Sequence, residues 1–149
     1  MTETAAAHDI TITRVYDAPR ELVWKAWTEP DRLAQWWGKR GWTARRSAIT
    51  MDVRPGGVFR VAAVCDEDGR ELVTEGVYRE VVEPERLAFG DATVIFADLG
   101  DGRTEMTFHI RVHMTETTRR AAEGGLTSAF DRLAEHLGRS PIQPSRSQP

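Results

Sequence analysis

Two histidines four residues apart, His109 and His113, are the first side chains that could do chemistry, since imidazoles bind metals and move protons. They alternate with Glu105, Thr107 and Arg111, and the residues between are Met106, Phe108, Ile110, Val112 and Met114. That period of two describes a strand with one apolar and one solvated face. Four strand residues span roughly 13 Å at ~3.3 Å each, too far to chelate one ion, so no metal is expected here. His136 falls late in a helical segment, where a cation suits the helix dipole, and His8 lies near the N-terminus. Nothing orients a histidine toward a serine or the lone Cys65, so no nucleophilic triad is expected. Cys65 sits in an apolar alternation with no His or Lys beside it, which describes a small buried hydrophobe rather than a reactive thiol.

Two further clusters invite a functional reading. In Asp52-Val53-Arg54-Pro55-Gly56-Gly57, Arg54 could hook an anion, but Asp52 shares its side of the strand and can pair with it. The glycines lack the Lys-Ser/Thr ending of a phosphate loop. The run Trp36 to Trp42, followed by Arg45-Arg46, mixes aromatic and basic residues as a single-stranded nucleic-acid surface would. A packed corner with a basic loop has the same composition. The net charge of −3 favours the corner and removes general nucleic-acid coating from the candidate functions.

The elements that would position these residues read clearly. With 149 residues, 40% hydrophobic and 29% charged, the chain is expected to form one domain. A strand is expected over 8–16, then a helix opened by Asp17-Ala18-Pro19 with Asp17 as its cap, then a short helix over 31–37 stopped by Gly38. Strands follow at 43–53, 57–65, 71–82, 86–90, 92–99 and 103–114, with tight turns at Asp68-Gly69 and Asp101-Gly102. A long helix over 115–137, with Thr115 as N-cap, carries the apolar stripe Ala122, Leu126, Ala129, Phe130, Leu133 and Leu137. Gly124-Gly125 within it implies a bend, a break, or close approach of the sheet or a ligand. The fold class is therefore α+β: a curved antiparallel sheet of about seven strands covered by the closing helix. Residues 1–8 are expected to be loose, 9–138 to form the domain, and 139–149 to be a disordered tail. No apolar run reaches membrane-span length and no targeting signal stands out, so a cytoplasmic location is the expectation.

This order resembles the START-like, helix-grip superfamily, also called SRPBCC. Several strings narrow the resemblance to the homologues of the activator of the 90-kDa heat-shock chaperone's ATPase. They are Asp17-Ala18-Pro19-Arg20-Glu21-Leu22-Val23-Trp24, Trp36-Trp37-Gly38, Met51 to Gly57 with Phe59-Arg60, Gly76-Val77-Tyr78-Arg79-Glu80, and Phe130-Asp131-Arg132-Leu133. The resemblance implies a sheet wrapped around the long helix, with an internal cavity for an apolar or amphipathic small molecule. Relatives often carry Gly-Trp in the last helix, where this chain has Gly125-Leu126, so the smaller side chain would widen the cavity mouth.

The function expected is binding of a small hydrophobic or aromatic molecule. Phe59, Val61, Phe96, Phe108, Leu126, Ala129, Phe130 and Leu133 should line the site, with Tyr78, Thr74 and Glu75 as polar candidates. One of Trp36, Trp37 and Trp42 could also line it. A polyketide-cyclase-like or hydrolytic enzyme would need a buried carboxylate of raised pKa, and Glu75 is its first candidate. A chaperone-interacting module rests on the resemblance. No cofactor, nucleic-acid partner or membrane span is expected; a monomer and a homodimer both fit.

Overall fold

A computed structural model describes residues 3–138; the expected tail at 139–149 lies outside the described residues. The chain runs β1 (Ala6–Tyr16), α1 (Arg20–Thr28), α2 (Pro30–Leu33), β2 (Trp42–Met51), β3 (Val58–Cys65), β4 (Glu71–Val82), β5 (Arg86–Phe89), β6 (Ala92–Asp98), β7 (Thr104–Met114) and α3 (Glu116–Gly138). The strands form one curved antiparallel sheet in the order β1-β7-β6-β5-β4-β3-β2, and α3 packs on β1, β7 and α1.

The alternation in β7 sets the layers. Met106 and Phe108 are buried, while the His109 side chain is 45% exposed and meets Asp9 of β1 at 3.0 Å. β1 pairs with β7 from Ala6↔Met114 to Tyr16↔Thr104, so it starts two residues before the expected 8. The chain ahead of it is also held: the Glu3 carboxylate accepts from the Thr117 N–H at 3.0 Å, at the start of α3. Residues 3–8 are thus better fixed than their composition implies.

Helix starts divide between expectation and correction. Thr115 Oγ1 accepts from the Thr118 N–H at 3.2 Å, as an N-cap should. Asp17 does not cap α1. Pro19 takes the N-cap position in an extended conformation, and the Leu22 N–H bonds its carbonyl at 3.0 Å. Asp17 therefore sits two residues outside the position from which a carboxylate reaches the first amides. α2 is shorter than expected, with turns continuing over 34–36, and the Trp36 indole N–H donates to the Ala26 carbonyl at 3.0 Å.

The turns follow their residues. Asp68 and Asp101 each accept from the backbone N–H two residues on, at 3.0 and 3.2 Å, and Gly69 and Gly102 take positive φ. Between β2 and β3 the chain passes so tightly that a Cβ on Gly57 would lie 1.8 Å from the Asp52 carbonyl oxygen, so only glycine fits.

Candidate ligand-binding site

The apolar residues expected to line a cavity do come together. Phe59, Val61, Phe96, Phe108, Ala129, Phe130, Leu133 and Tyr78 are all buried in one cluster, with Leu126 half-buried at its edge. They are packed through rings: Phe108 to Phe130 at 5.4 Å, Phe59 to Tyr78 at 5.8 Å, Phe59 to Phe89 at 4.6 Å. Trp27 is the hub. It meets Trp36 at 4.8 Å, stacks on Phe108 at 6.3 Å, and touches Phe89 and Phe130, both at 6.1 Å. The sequence puts Trp27 on an apolar helix face but does not reveal that its ring fills the middle of the expected cavity. Trp36 is also core, and Trp37 packs on Phe59 at 5.5 Å. Trp42 lies under the Arg70 guanidinium at 5.5 Å.

Glu75 is a correction. It lies on the opposite face of β4, its side chain 64% exposed, with Arg60 at 3.8 Å. The reason is parity: Glu75 and Tyr78 are three residues apart, and a strand puts odd separations on opposite faces. Thr74 shares the Tyr78 face and is half-buried. The carboxylates whose pKa moves, Glu3, Asp68 and Glu116, are all lowered, chiefly by hydrogen bonds they accept at the surface.

Space opens in two places. A Cβ on Gly124 would meet nothing within 4 Å, and one on Gly125 would meet only the Lys39 Cδ at 3.9 Å. α3 runs unbroken through both and Gly124 is exposed to solvent, so the glycines mark neither a break nor a close approach. A pocket of about 310 Å³ also opens between the end of α1, the β2–β3 turn and the end of β4. Trp24, Thr28, Val53 and Val81 line it, with Lys25, Glu29 and Glu83. None of these stands out in the sequence as a site residue; the available signal is Trp24, close to one helical turn before Trp27.

The polar atoms of the interior divide sharply. Tyr16 donates to the Phe130 carbonyl at 3.2 Å, buried Thr104 donates to the Ala18 carbonyl at 2.7 Å, and Trp36 is paired as described. Trp27 Nε1 and Tyr78 Oη are equally buried and have no hydrogen-bond partner in the protein. Both rings flank Phe89, with centroids at 6.1 and 6.2 Å from it. Burial, with the Asp52 charge behind it, raises the Tyr78 pKa and keeps the phenol protonated, a donor and acceptor together.

The basic clusters are structural. Arg54 pairs with Asp52 at 2.8 Å and Arg46 with Asp31 at 2.8 Å, and Arg40 pairs with Glu135. Arg132 Nη1 donates to the Gly38 and Trp42 carbonyls at 2.7 and 3.1 Å, fastening the 38–42 loop to α3. Cys65 is buried as expected, but the hairpin folds Arg70 back until its Nη2 is 3.9 Å from Sγ, a cation that sequence distance does not reveal. Among the described residues no helix is long and apolar enough to cross a membrane.

A sheet wrapped on a long helix over an aromatic interior invites comparison with known proteins. Residues 17–138 match the family model described as Activator of Hsp90 ATPase homolog 1-like protein. The chain belongs to that family. Among solved structures, a protein from Nitrosomonas europaea is 25% identical, with a TM-score of 0.74 over 88% of this chain and 94% of that one. An AHSA1 protein from Silicibacter pomeroyi, 19% identical, superposes with a TM-score of 0.75 over 88% of this chain and 98% of its own. An AHSA1-like protein from Aeromonas hydrophila is 24% identical, with a TM-score of 0.70 over 90% and 96%. No curated protein matches the chain. For this member of the Activator of Hsp90 ATPase homolog 1-like family, the family string Phe130-Asp131-Arg132-Leu133 has a physical role: Phe130 and Leu133 enter the core while Arg132 clasps the loop.

Proposed function

We propose that this protein binds a small aromatic molecule bearing a polar group, held between the sheet and α3. One observation carries the reading: Trp27 Nε1 and Tyr78 Oη are buried in an aromatic interior without partners, beside one ring, while Tyr16 and Trp36 in the same core are satisfied. A buried unsatisfied donor costs roughly 1–3 kcal/mol, so a bound molecule that accepts from both would offset a standing penalty. Its apolar body would pack on Phe89 and Phe59 after a ring rearrangement, beside the half-buried Leu126 at the edge of the core. The hydrolytic or cyclase reading loses its acid, because Glu75 faces solvent. The family takes its name from activation of the Hsp90 ATPase; for this chain the interior supports ligand binding.

The test is native mass spectrometry of the purified protein, followed by titration with a matched pair of probes, naphthalene and 2-naphthol. The reading expects saturable binding of 2-naphthol and a weaker response to naphthalene. Absence of binding by either probe, with no co-purifying small molecule, would contradict it.

A further inference from the structure

The outer face of the sheet, away from α3, carries side chains that the ligand reading does not use. On β3 and β4 three cross-strand pairs share the outer face in succession: Val58 with Val77, Arg60 with Glu75, and Ala62, itself buried, with Val73. Val58, Val77 and Val73 are 45%, 47% and 38% exposed, so an apolar patch flanks a central charge pair on both sides. That pair is loose. Arg60 Nε to Glu75 Oε2 is 3.8 Å, the longest arginine–carboxylate pair among the described residues, and most of the others lie near 2.5–3.1 Å. Each group therefore keeps hydrogen-bonding capacity for a second partner.

We propose that this face is the interface of a homodimer, with a second copy packed face to face across a two-fold axis running along β3 and β4. The pattern is self-complementary, as an isologous interface requires. Such an axis lays β3 of one copy over β4 of the other. Val58 then covers the partner subunit's Val77, and Arg60 meets the partner subunit's Glu75, with the reciprocal contacts generated by symmetry. Two arginines and two glutamates alternate at the centre, and valines close both sides. Sheets packed in this aligned way sit ~10 Å apart, a spacing valine side chains fill. Association through the β2 edge, next to this face, is obstructed instead: the register of β2 shifts between Ala44 and Ile49, and the bulged residues include Arg45 and Arg46.

Sedimentation equilibrium tests this on the full chain. The wild-type protein should be a concentration-dependent dimer. Arg60→Glu and Glu75→Arg, each alone, should weaken self-association roughly 100-fold, because the symmetric contact becomes like against like. An equimolar mixture of the two variants should regain the dimer. The charge introduced in one variant then faces the opposite charge introduced in the other, and the native Glu75 of the first faces the native Arg60 of the second. Regain of the dimer also shows that both variants are folded. A wild-type monomer from micromolar to millimolar concentration overturns the proposal, as does a dimer unaffected by either charge reversal or a mixture that stays monomeric.

Discussion

The two halves of α3 do different work. From Ala129 onward, Ala129, Phe130, Leu133 and Leu137 are all buried, and the Phe130 ring closes on Phe108 and Trp27. From Glu116 to Ser128 no residue is fully buried; Leu126 is half-buried, and the Gly124-Gly125 pair faces space. The first half is held at its surface instead, by Arg119 between Glu116 at 2.8 Å and Glu123 at 2.5 Å. Packing gives one half its stability and leaves the other room to adjust around a bound molecule.

The largest effect should come from the packed half. Phe130→Ala removes a ring that touches Trp27, Trp36 and Phe108, and should destabilise the fold by ~3–5 kcal/mol in denaturant unfolding. A loss below ~1 kcal/mol would mean the C-terminal half is not the packed one. In the open half, Leu126→Trp should be accepted with less than the ~1–3 kcal/mol that overpacking costs, while weakening binding of 2-naphthol by taking its space. Destabilisation of that full size would show the region closed.

Gly124→Ala sharpens the contrast further. Its Cβ meets nothing, so the gain in helix propensity should appear undiminished, raising stability by ~0.5–1 kcal/mol. The smallest effect concerns the ion pairs. Hydrogen bonds from Arg119 first, then Arg120, lower the Glu116 pKa from 4.5 to about 2. A carboxyl depressed in the folded state stabilises fully above its ordinary pKa, and that contribution fades as pH falls from 4.5 toward 2. Glu116→Gln should flatten this acid limb of the stability profile by slightly lowering stability at neutral pH and leaving the acid end unchanged, a small effect because the pair is exposed.

The local signals are legible in the sequence and the spatial ones are not. Period-two runs place every strand to within two residues, because alternation is written into adjacent positions. The stripe Ala129, Phe130, Leu133 and Leu137 is readable for the same reason at period 3.6. Glu75 is misplaced by the cavity expectation although the information is local; counting parity from Tyr78 puts it outside. Trp27 is beyond reach, since its role depends on rings from β5, β6, β7, α3 and the turns after α2 converging on it. The orphan state of Trp27 Nε1 and Tyr78 Oη is equally non-local: it depends on which carbonyls happen to be near, as Ala26 is for Trp36.

Tyr78→Phe tests the central claim most directly, measured as unfolding free energy and as 2-naphthol affinity on the same preparation. Removing an unpaired buried hydroxyl should raise the stability of the free protein by about 1 kcal/mol. The same change should weaken 2-naphthol binding by roughly tenfold, and leave naphthalene binding unaltered. A variant that loses stability, or that binds 2-naphthol as tightly as the wild type, would contradict the assignment of Tyr78 to the ligand.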